Sequence, residues 1–166
     1  EQGAGFMADG YARASAKPGI AYVITGPGLC NIMTPMAQAY SDSVPMLVIS
    51  SCLDEVAARR GQLHQMLDQE SAADAVCEWS ATANSAKAAY GLLERAFEEF
   101  ASKRARPKHI QVPIAQLAAH VPEFPAPRPS AYSAFYDPKG VERAADMLGA
   151  ARQPLFILGG GAIKTD

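Results

Sequence analysis

Two short apolar runs with a helix-forming stretch between them place the strongest constraint on the fold of this chain. Residues 20–25 and 46–50 are rich in β-branched and other apolar side chains, whereas residues 31–40 have helical character. Such runs are typical of parallel strands that are covered on both faces. Since parallel neighbours need a crossover connection, the pattern predicts a strand, a crossover helix and a second, parallel strand.

Further segments extend this prediction to an α/β fold, with a parallel sheet flanked by helices. Another strand is expected at residues 109–112 and a short one within residues 76–83, and Ser85 is expected to cap an amphipathic helix. Residues 53–69 are polar and irregular, as in loops that carry function. Residues 2–14 are predicted to form a helix, on which these residues share one side: Gly3, Met7, Tyr11 and Ala14.

Prolines divide the chain into two predicted domains. Residues 121–136 are rich in proline and poor in aliphatic side chains, which predicts an extended linker after a first domain at residues 1–120. Residues 137–166 then restart the pattern with a capped helix, a strand at residues 155–158 and a glycine cluster, which predicts the start of a second α/β domain. Since the chain begins without Met and stops just after these glycines, we expect both domains to be incomplete pieces of a longer protein.

Composition argues against several classes of function. The 166 residues carry a formal net charge of −2 with no long run of either sign, so no nucleic-acid or anionic membrane surface is predicted. No segment approaches the ~20 apolar residues that cross a bilayer. Three scattered histidines form no ligand set, so no metal site is predicted. A reducing, cytoplasmic location is expected because no CxxC pair occurs among the cysteines, which are Cys30, Cys52 and Cys77.

Glycines at two predicted strand ends are the first candidates for a ligand site. Gly26, Pro27 and Gly28 lie between a strand and a helix, where glycines let the backbone approach a ligand, although an ordinary βα turn is an equal alternative. Residues 159–161 could similarly belong to a flavin or nucleotide site, but a tight turn is the favoured interpretation. His64 lies in the polar loop, where a solvated histidine is more common than a functional one.

A series of short motifs runs through the whole chain. Residues 1–13 have the form E-x-x-A-x-x-M-A-x-G-Y-A-R. The blocks that follow are Lys17-Pro18-Gly19, Thr25-Gly26-Pro27-Gly28 with Asn31, Asp42-Ser43-Val44-Pro45-Met46, and Arg106-Pro107 with Val112-Pro113. In order and distance, the series resembles the thiamine diphosphate-dependent enzymes of the acetolactate synthase and 2-oxo acid decarboxylase group. Any one block would be a weak signal, but the ordered series is specific.

The resemblance implies a catalytic and cofactor-binding role for Glu1. Its counterpart in the family hydrogen-bonds N1′ of the aminopyrimidine ring of the cofactor. That role needs a carboxyl that gives and takes a proton, and a small apolar pocket favours the protonated form. Three nearby residues are expected to form this pocket: Gly3, Gly5 and Ala8.

The same resemblance implies positions for the rest of the site. These residues would bind the cofactor near its pyrimidine ring: Gly26, Pro27, Gly28 and Asn31. The family's F-Q-E-type block, in which a Gln points into the active site, is matched to residues 63–65, so His64 or Gln65 is expected to face the substrate. Because this block departs from the acetolactate synthase pattern, a longer or basic 2-oxo acid is an equally good substrate class.

The resemblance also implies the function and partners of the parent protein. The reaction would be decarboxylation of a 2-oxo acid, with or without carboligation, using thiamine diphosphate and Mg²⁺, and with FAD as a further possible cofactor. The Mg²⁺ ligands would belong to a C-terminal domain that this chain lacks, and the site would be shared between subunits of a homodimer or tetramer. The chain alone is therefore expected to be inactive. Two alternatives stay open, a non-catalytic pyrimidine-type binding or assembly module and a flavin or nucleotide-binding protein that uses the second domain.

Overall fold

The structure, a computed structural model, describes residues 1–54, 60–121, 136–160 and 162. The chain divides into two compact units, Glu1–Ser130 and Ala131–Asp166. The described helices of the first unit are α1 (Gln2–Ser15), α2 (Pro27–Asp42), α3 (Gln69–Asp74), α4 (Ala86–Ser102) and α5 (Ile114–Leu117). Its described strands are β1 (Gly19–Val23), β2 (Met46–Cys52), β3 (Ser80–Thr82) and β4 (Lys108–Pro113).

The four described strands of this unit form one parallel sheet in the order β1-β2-β4-β3. β2 lies in the centre, where Leu47 pairs with Ile20 of β1 on one side and with Lys108 of β4 on the other. β2 is buried almost throughout, as expected for a strand with a neighbour on each side and helices on both faces. The predicted α/β fold with a parallel sheet flanked by helices is confirmed.

Alternating side chains of β2 contribute to two separate hydrophobic clusters. Met46 and Val48 pack in the cluster that contains the apolar face of α2, whereas Leu47 packs in the cluster that contains part of α4. Since successive side chains of a strand point to opposite faces, the helices cover both sides of the sheet. The side chains of α2 in the first cluster are fully buried, which stabilises the fold by about 1.5–3 kcal/mol for each large apolar residue: Leu29, Ile32 and Met36.

Helix α1 packs through its small residues and exposes the side that apolar spacing had marked. Gly5 lies against Ile32 and Pro35 of α2, and a Cβ at Gly19 of β1 would collide with the carbonyl of Ala8. In contrast, Met7 is 71% exposed, and the rest of its predicted row is exposed as well. Close backbone approach therefore decides which side of α1 is buried, because only residues without large side chains permit it.

The polar loop ends in a short helix that sequence periodicity did not show. Asp68 caps α3 by accepting a hydrogen bond from the backbone N–H of Ser71 at 3.0 Å. Before α3, the described parts of the predicted loop, residues 53–54 and 60–68, are irregular, while residues 55–59 lie outside the described residues. Helix α4 begins as predicted, with the Ser85 hydroxyl accepting from the N–H of Ala88 at 3.2 Å.

A buried cation lies at the start of β4. Lys108 has no exposed surface, and its ammonium group lies 2.7 Å from the carboxylate of Glu78 and 3.5 Å from that of Glu99. The same nitrogen stands 4.5 Å from the centre of the Phe100 ring, within the range of a cation–π contact. A buried charge persists only with such partners, since desolvating it alone is costly.

The second unit contains α6 (Pro138–Ala150), which begins as the sequence predicted. The Asp137 carboxylate caps it by accepting from the N–H of Lys139 at 3.1 Å. The prediction of a strand at residues 155–158 is wrong. This described segment forms no strand, since a strand requires a hydrogen-bonded neighbour. Most of the predicted linker, residues 122–135, and the last glycine of the cluster lie outside the described residues, so the start of a second α/β domain stays a prediction. Within the described ranges, no helix has the length and apolar character to cross a bilayer.

Candidate functional site

A glycine turn follows β1 and leads into α2. Gly26 has φ of 63°, in the left-handed region that favours glycine, and a Cβ at this position would also collide with the carbonyl oxygen of His64. Pro27 then occupies the first turn of α2, where its missing N–H costs no hydrogen bond. The sequence of this turn is therefore dictated by its conformation and by the neighbouring loop.

Glu1 lies beside the first turn of α2. Its Oε2 accepts a hydrogen bond from Asn31 Nδ2 at 3.2 Å. A Cβ at Gly28 would collide with Ile24 Cγ2 at 2.7 Å and would stand in ordinary contact with Glu1, 3.4 Å from its Cγ and 3.5 Å from its Oε1. The structure thus places Glu1 beside two residues near the start of α2, Gly28 and Asn31, and all three were predicted for the site.

The small residues of α1 do not form a pocket around Glu1. Gly5 and Ala8 face α2 and β1, and no atom lies within 4 Å of the Cβ position of Gly3. The prediction of a pocket formed by these residues is therefore wrong, because Gly5 and Ala8 pack against the neighbouring helix and strand. Glu1 and Asn31 are both exposed, so the carboxyl group faces an open surface of the described unit.

An open cleft of about 380 Å³ lies at the turn, lined by Gly26, Pro27, Cys30, Asn31, Gln65 and Met66. Its size is within the range of small-molecule sites. A flat aminopyrimidine ring needs close backbone approach on one side and a proton-exchanging group near a ring nitrogen. The glycine turn supplies the first and Glu1, held by Asn31, supplies the second. The residues present therefore fit the pyrimidine part of thiamine diphosphate.

The two loop residues predicted for the substrate pocket differ in position. Gln65 lines the cleft, and it also lines a second cavity on the other side of the loop. Its side-chain oxygen accepts from the backbone N–H groups of Gly61 at 2.8 Å and Gln62 at 3.3 Å. His64 is not among the described lining residues of either space; its φ of 61° turns the backbone so that its carbonyl faces Gly26.

The second cavity, of about 310 Å³, lies at the carboxyl ends of β2, β3 and β4 and is called the polar cavity below. Ligands of open parallel sheets commonly bind at this end of the strands. None of its described lining residues carries a positive charge, whereas three carry carboxylates: Asp54, Asp68 and Glu70. Glu70 Oε2 accepts hydrogen bonds from Thr82 Oγ1 and from Gln111 Nε2, the latter at 3.5 Å. Sequence reasoning singled out none of Glu70, Thr82 and Gln111. The one signal was Gln111, a polar residue between the apolar Ile110 and Val112 of β4.

A buried glutamine connects the glycine turn to the sheet. Gln69 Oε1 accepts from the N–H of Gly26 at 2.7 Å and from Thr25 Oγ1 at 2.8 Å. Gln69 Nε2 donates to the carbonyl of Ser51 at 2.8 Å and contacts Gln111 Oε1 at 3.0 Å. Gln69 is only 6% exposed, so these contacts are made out of reach of bulk water.

A buried histidine continues the hydrogen-bonded chain beneath Gln69. Gln69 Nε2 lies 3.1 Å from Ser50 Oγ, and this hydroxyl lies 2.8 Å from His109 Nε2. The other ring nitrogen of His109 lies 2.7 Å from Ser80 Oγ. Burial lowers the pKa of His109 to about 4, because the charged imidazolium would lose its hydration. The ring is therefore neutral at physiological pH, with one donor and one acceptor nitrogen.

The parallel sheet, the glycine turn and the carboxyl group beside it define a thiamine diphosphate-binding domain of the pyrimidine type. Residues 1–72 match the family described as "Thiamine pyrophosphate enzyme, N-terminal TPP binding domain". The resemblance found in the sequence is thereby confirmed, and the chain belongs to the thiamine diphosphate-dependent enzymes.

Relatives of known name match almost the whole of this chain. It is 46% identical over 171 residues to the probable 2-ketoarginine decarboxylase AruI of Pseudomonas aeruginosa, covering 98% of this chain and 30% of the relative. It is 30% identical over 176 residues to the mitochondrial acetolactate synthase catalytic subunit of Saccharomyces cerevisiae, covering 99% and 25%. It is 31% identical over 173 residues to the glyoxylate carboligase of Escherichia coli O157:H7, covering 99% and 28%. The chain therefore spans less than a third of the length of these relatives.

Proposed function

We propose that the full-length protein catalyses thiamine diphosphate-dependent decarboxylation of a 2-oxo acid, with or without ligation to an acceptor, and that this chain supplies the pyrimidine side of the site. The observation that supports the proposal is the placement of Glu1, which lies beside Gly28 and is hydrogen-bonded to Asn31, a residue that lines the cleft. The relatives named above support the same chemistry, since their names specify a 2-oxo acid decarboxylase, an acetolactate synthase and a carboligase.

The residues of this chain would bind and orient the pyrimidine ring and exchange a proton with it. When bound, thiamine diphosphate supplies the electron sink for decarboxylation. Gly26 and Gly28 allow the backbone to approach the ring, and the amide of Asn31 fixes Glu1 Oε2. Glu1 Oε1, on the Gly28 side, is then the atom that would hold or release a proton at N1′ of the ring. Acid–base help of this kind contributes roughly 10²–10⁴-fold to a rate.

The remaining parts of the site are proposed to lie outside this chain. The family resemblance supports Mg²⁺ and diphosphate binding by a C-terminal domain, and a site shared between subunits of a homodimer or tetramer. We further propose a cytoplasmic location, which the three free cysteines of the chain support.

The polar cavity supports a basic 2-oxo acid as the substrate class. A guanidinium group is always charged and pairs well with carboxylates, and the cavity offers Asp54, Asp68 and Glu70 without a competing cation among its described residues. The cavity adjoins the cofactor cleft at Gln65 and Met66, which line both. A long substrate could therefore react in the cleft while its basic end lies in the cavity.

The test uses the full-length protein and measures CO₂ release from a panel of neutral, acidic and basic 2-oxo acids. Release should require thiamine diphosphate and Mg²⁺ and should fall by roughly 10²–10⁴-fold in Glu1→Gln. Glu70→Gln should raise KM for basic acids while leaving KM for neutral acids unchanged. A folded protein without cofactor-dependent turnover would contradict the enzymatic proposal, and flavin absorbance in the purified protein would report a second cofactor.

A further inference from the structure

The cofactor-binding turn depends on side chains for its backbone hydrogen bonds. The N–H of Gly26 donates to Gln69 Oε1, and the N–H of Thr25 donates to Ser51 Oγ at 3.0 Å. Both groups are buried, where an unpaired N–H is costly. Since Gly26 is in a left-handed conformation and begins α2, its orientation sets where the cleft opens. The partners of these two N–H groups therefore determine the geometry of the turn.

The orientation of the Gln69 amide is fixed by its neighbours. The N–H of Gly26 can only donate and the carbonyl of Ser51 can only accept, so the oxygen of Gln69 must face the turn and its nitrogen must face β2. The amide thereby joins the turn to the end of a strand that is buried on both faces. A flipped amide would lose both contacts, which leaves Gln69 one arrangement.

The support continues through the sheet to β3. Ser50 lies between Gln69 and His109, and His109 lies between Ser50 and Ser80. A neutral imidazole can accept from the Ser50 hydroxyl at Nε2 while donating to Ser80 at Nδ1, which completes the chain of donors and acceptors. These hydrogen-bonded residues come from β2, β4 and β3, so three strands of the sheet support the Gln69 amide.

We propose that Gln69 is a positioning residue for cofactor binding, which fixes the Thr25–Gly26 turn by its amide and does not touch the cofactor, while its side chain also lines the polar cavity. The inference rests on the proposed function for the identity of the ligand, but the fixation of the turn can be tested without it. Gln69 lies behind the turn as seen from the cleft, since it contacts Thr25 and Gly26 and is not among the described lining residues of that cleft.

The experiment compares Gln69→Met with wild type in the full-length protein. Methionine keeps the length of the side chain and removes all of its hydrogen bonds. Titration calorimetry with thiamine diphosphate and Mg²⁺ should show affinity weakened roughly tenfold or more, since tenfold is about 1.4 kcal/mol and matches the net value of a buried hydrogen bond. Hydrogen exchange of a peptide that covers residues 24–28 should be faster in the variant. At saturating cofactor, KM for a short, neutral 2-oxo acid that does not extend into the polar cavity should be unchanged.

Two further variants separate positioning from general loss of stability. Trp79→Phe removes a buried hydrogen bond to Glu99 of 2.8 Å that does not contact the turn, so it should destabilise the domain without changing cofactor affinity or exchange at residues 24–28. Thr25→Val removes one of the two hydrogen bonds that Gln69 receives from the turn, and it should weaken cofactor binding in the same direction by a smaller factor. This isosteric change also provides the test if Gln69→Met does not fold.

The outcomes distinguish the inference from the proposed function. Wild-type protein that binds no thiamine diphosphate would refute the function, while the exchange data would still decide whether Gln69 fixes the turn. Cofactor affinity and exchange equal to wild type in Gln69→Met and Thr25→Val would overturn the inference. A raised KM for a short, neutral 2-oxo acid with unchanged cofactor affinity would also overturn it, because Gln69 would then act on the reacting end of the substrate.

Discussion

The buried histidine makes the stability of the domain depend on pH in a predictable direction. In the folded protein, burial lowers the pKa of His109 from 6.5 to about 4. The unfolded chain therefore binds a proton at a higher pH than the folded protein does. It follows that this contribution to stability is fully present above pH 6.5 and is lost as the pH falls through 6.5 towards 4.

The magnitude follows from the two pKa values. The linkage relation with 6.5 and about 4 gives a loss of about 2 kcal/mol on going from pH 7 to pH 5. Solvent does not screen this effect, because His109 has no exposed surface. Its hydrogen-bond partners Ser50 and Ser80 are neutral, so neither supplies a charge that would stabilise the imidazolium.

The assay compares wild type with His109→Gln in the full-length protein at the two pH values. Glutamine can keep one hydrogen bond to a serine but does not titrate. Unfolding in urea would be monitored with a brief deuterium pulse, given at one common pH. Mass spectrometry would then measure the deuterium in the peptide that covers residues 108–113. The free energy of unfolding of wild type should fall by about 2 kcal/mol more than that of the variant between pH 7 and pH 5. His120→Gln, which replaces an exposed histidine, should behave as wild type.

The reasoning would be refuted by equal losses in wild type and His109→Gln. Such a result would mean that His109 is protonated in the folded protein without cost, and the neutral ring assigned to the hydrogen-bonded chain beneath Gln69 would be wrong. A smaller loss in His120→Gln than in wild type would instead show that part of the acid sensitivity arises at His120.

Three other predictions follow from single positions. Gly26→Ala should destabilise the domain by about 1–3 kcal/mol, because φ of 63° with ψ of −108° is unfavourable for any residue but glycine, and the collision with His64 should add to this. Gly91→Ala in α4, where the space is open, should stabilise the domain by about 0.5–1 kcal/mol, and urea unfolding measures both. Lys108→Met should cost less than about 3 kcal/mol in the same assay, because Glu99 keeps other cationic partners and Glu78 is partly exposed. Iodoacetamide should label exposed Cys30 before the other two thiols, since burial raises the pKa of Cys52 to about 11 and of Cys77 to about 12. Thiamine diphosphate should slow the labelling of Cys30, which lines the cleft, and mass spectrometry measures both effects.

The sheet could be predicted from the sequence because its strands are continuous apolar runs. Residues 20–25 and 46–50 are recognisable without knowledge of their neighbours, and the stretch between them can only be a crossover. The packing side of α1 could not be predicted in this way, since Gly5 and Ala8 are buried by close approach and Met7 is exposed. Hydrophobic spacing identifies a helix, but the shape of its neighbour decides which side is covered.

In the candidate site too, some residues could be predicted from the sequence and others could not. The family resemblance predicted Glu1, Gly26 and Asn31 near one ligand, because their order and spacing match the motifs of the family. Gln69 and His109 were missed, since their partners lie far away in sequence: Gln69 and Thr25 are 44 residues apart, and His109 and Ser50 are 59 apart. Polar residues inside a strand or a loop show no periodicity that would connect them.

The buried polar chain also explains why such residues belong in the core of this domain. Each would be costly alone, but no buried side-chain nitrogen or oxygen in the described part of the chain lacks a hydrogen-bond partner. An apolar core would tolerate several packings of a glycine turn, whereas the amide of Gln69 accepts only one arrangement of Gly26. A site that must hold a flat ring beside Glu1 needs that single arrangement. By this inference, Ser50, Ser80 and His109 of the sheet act together with Gln69 of α3 to hold the glycine turn in one conformation.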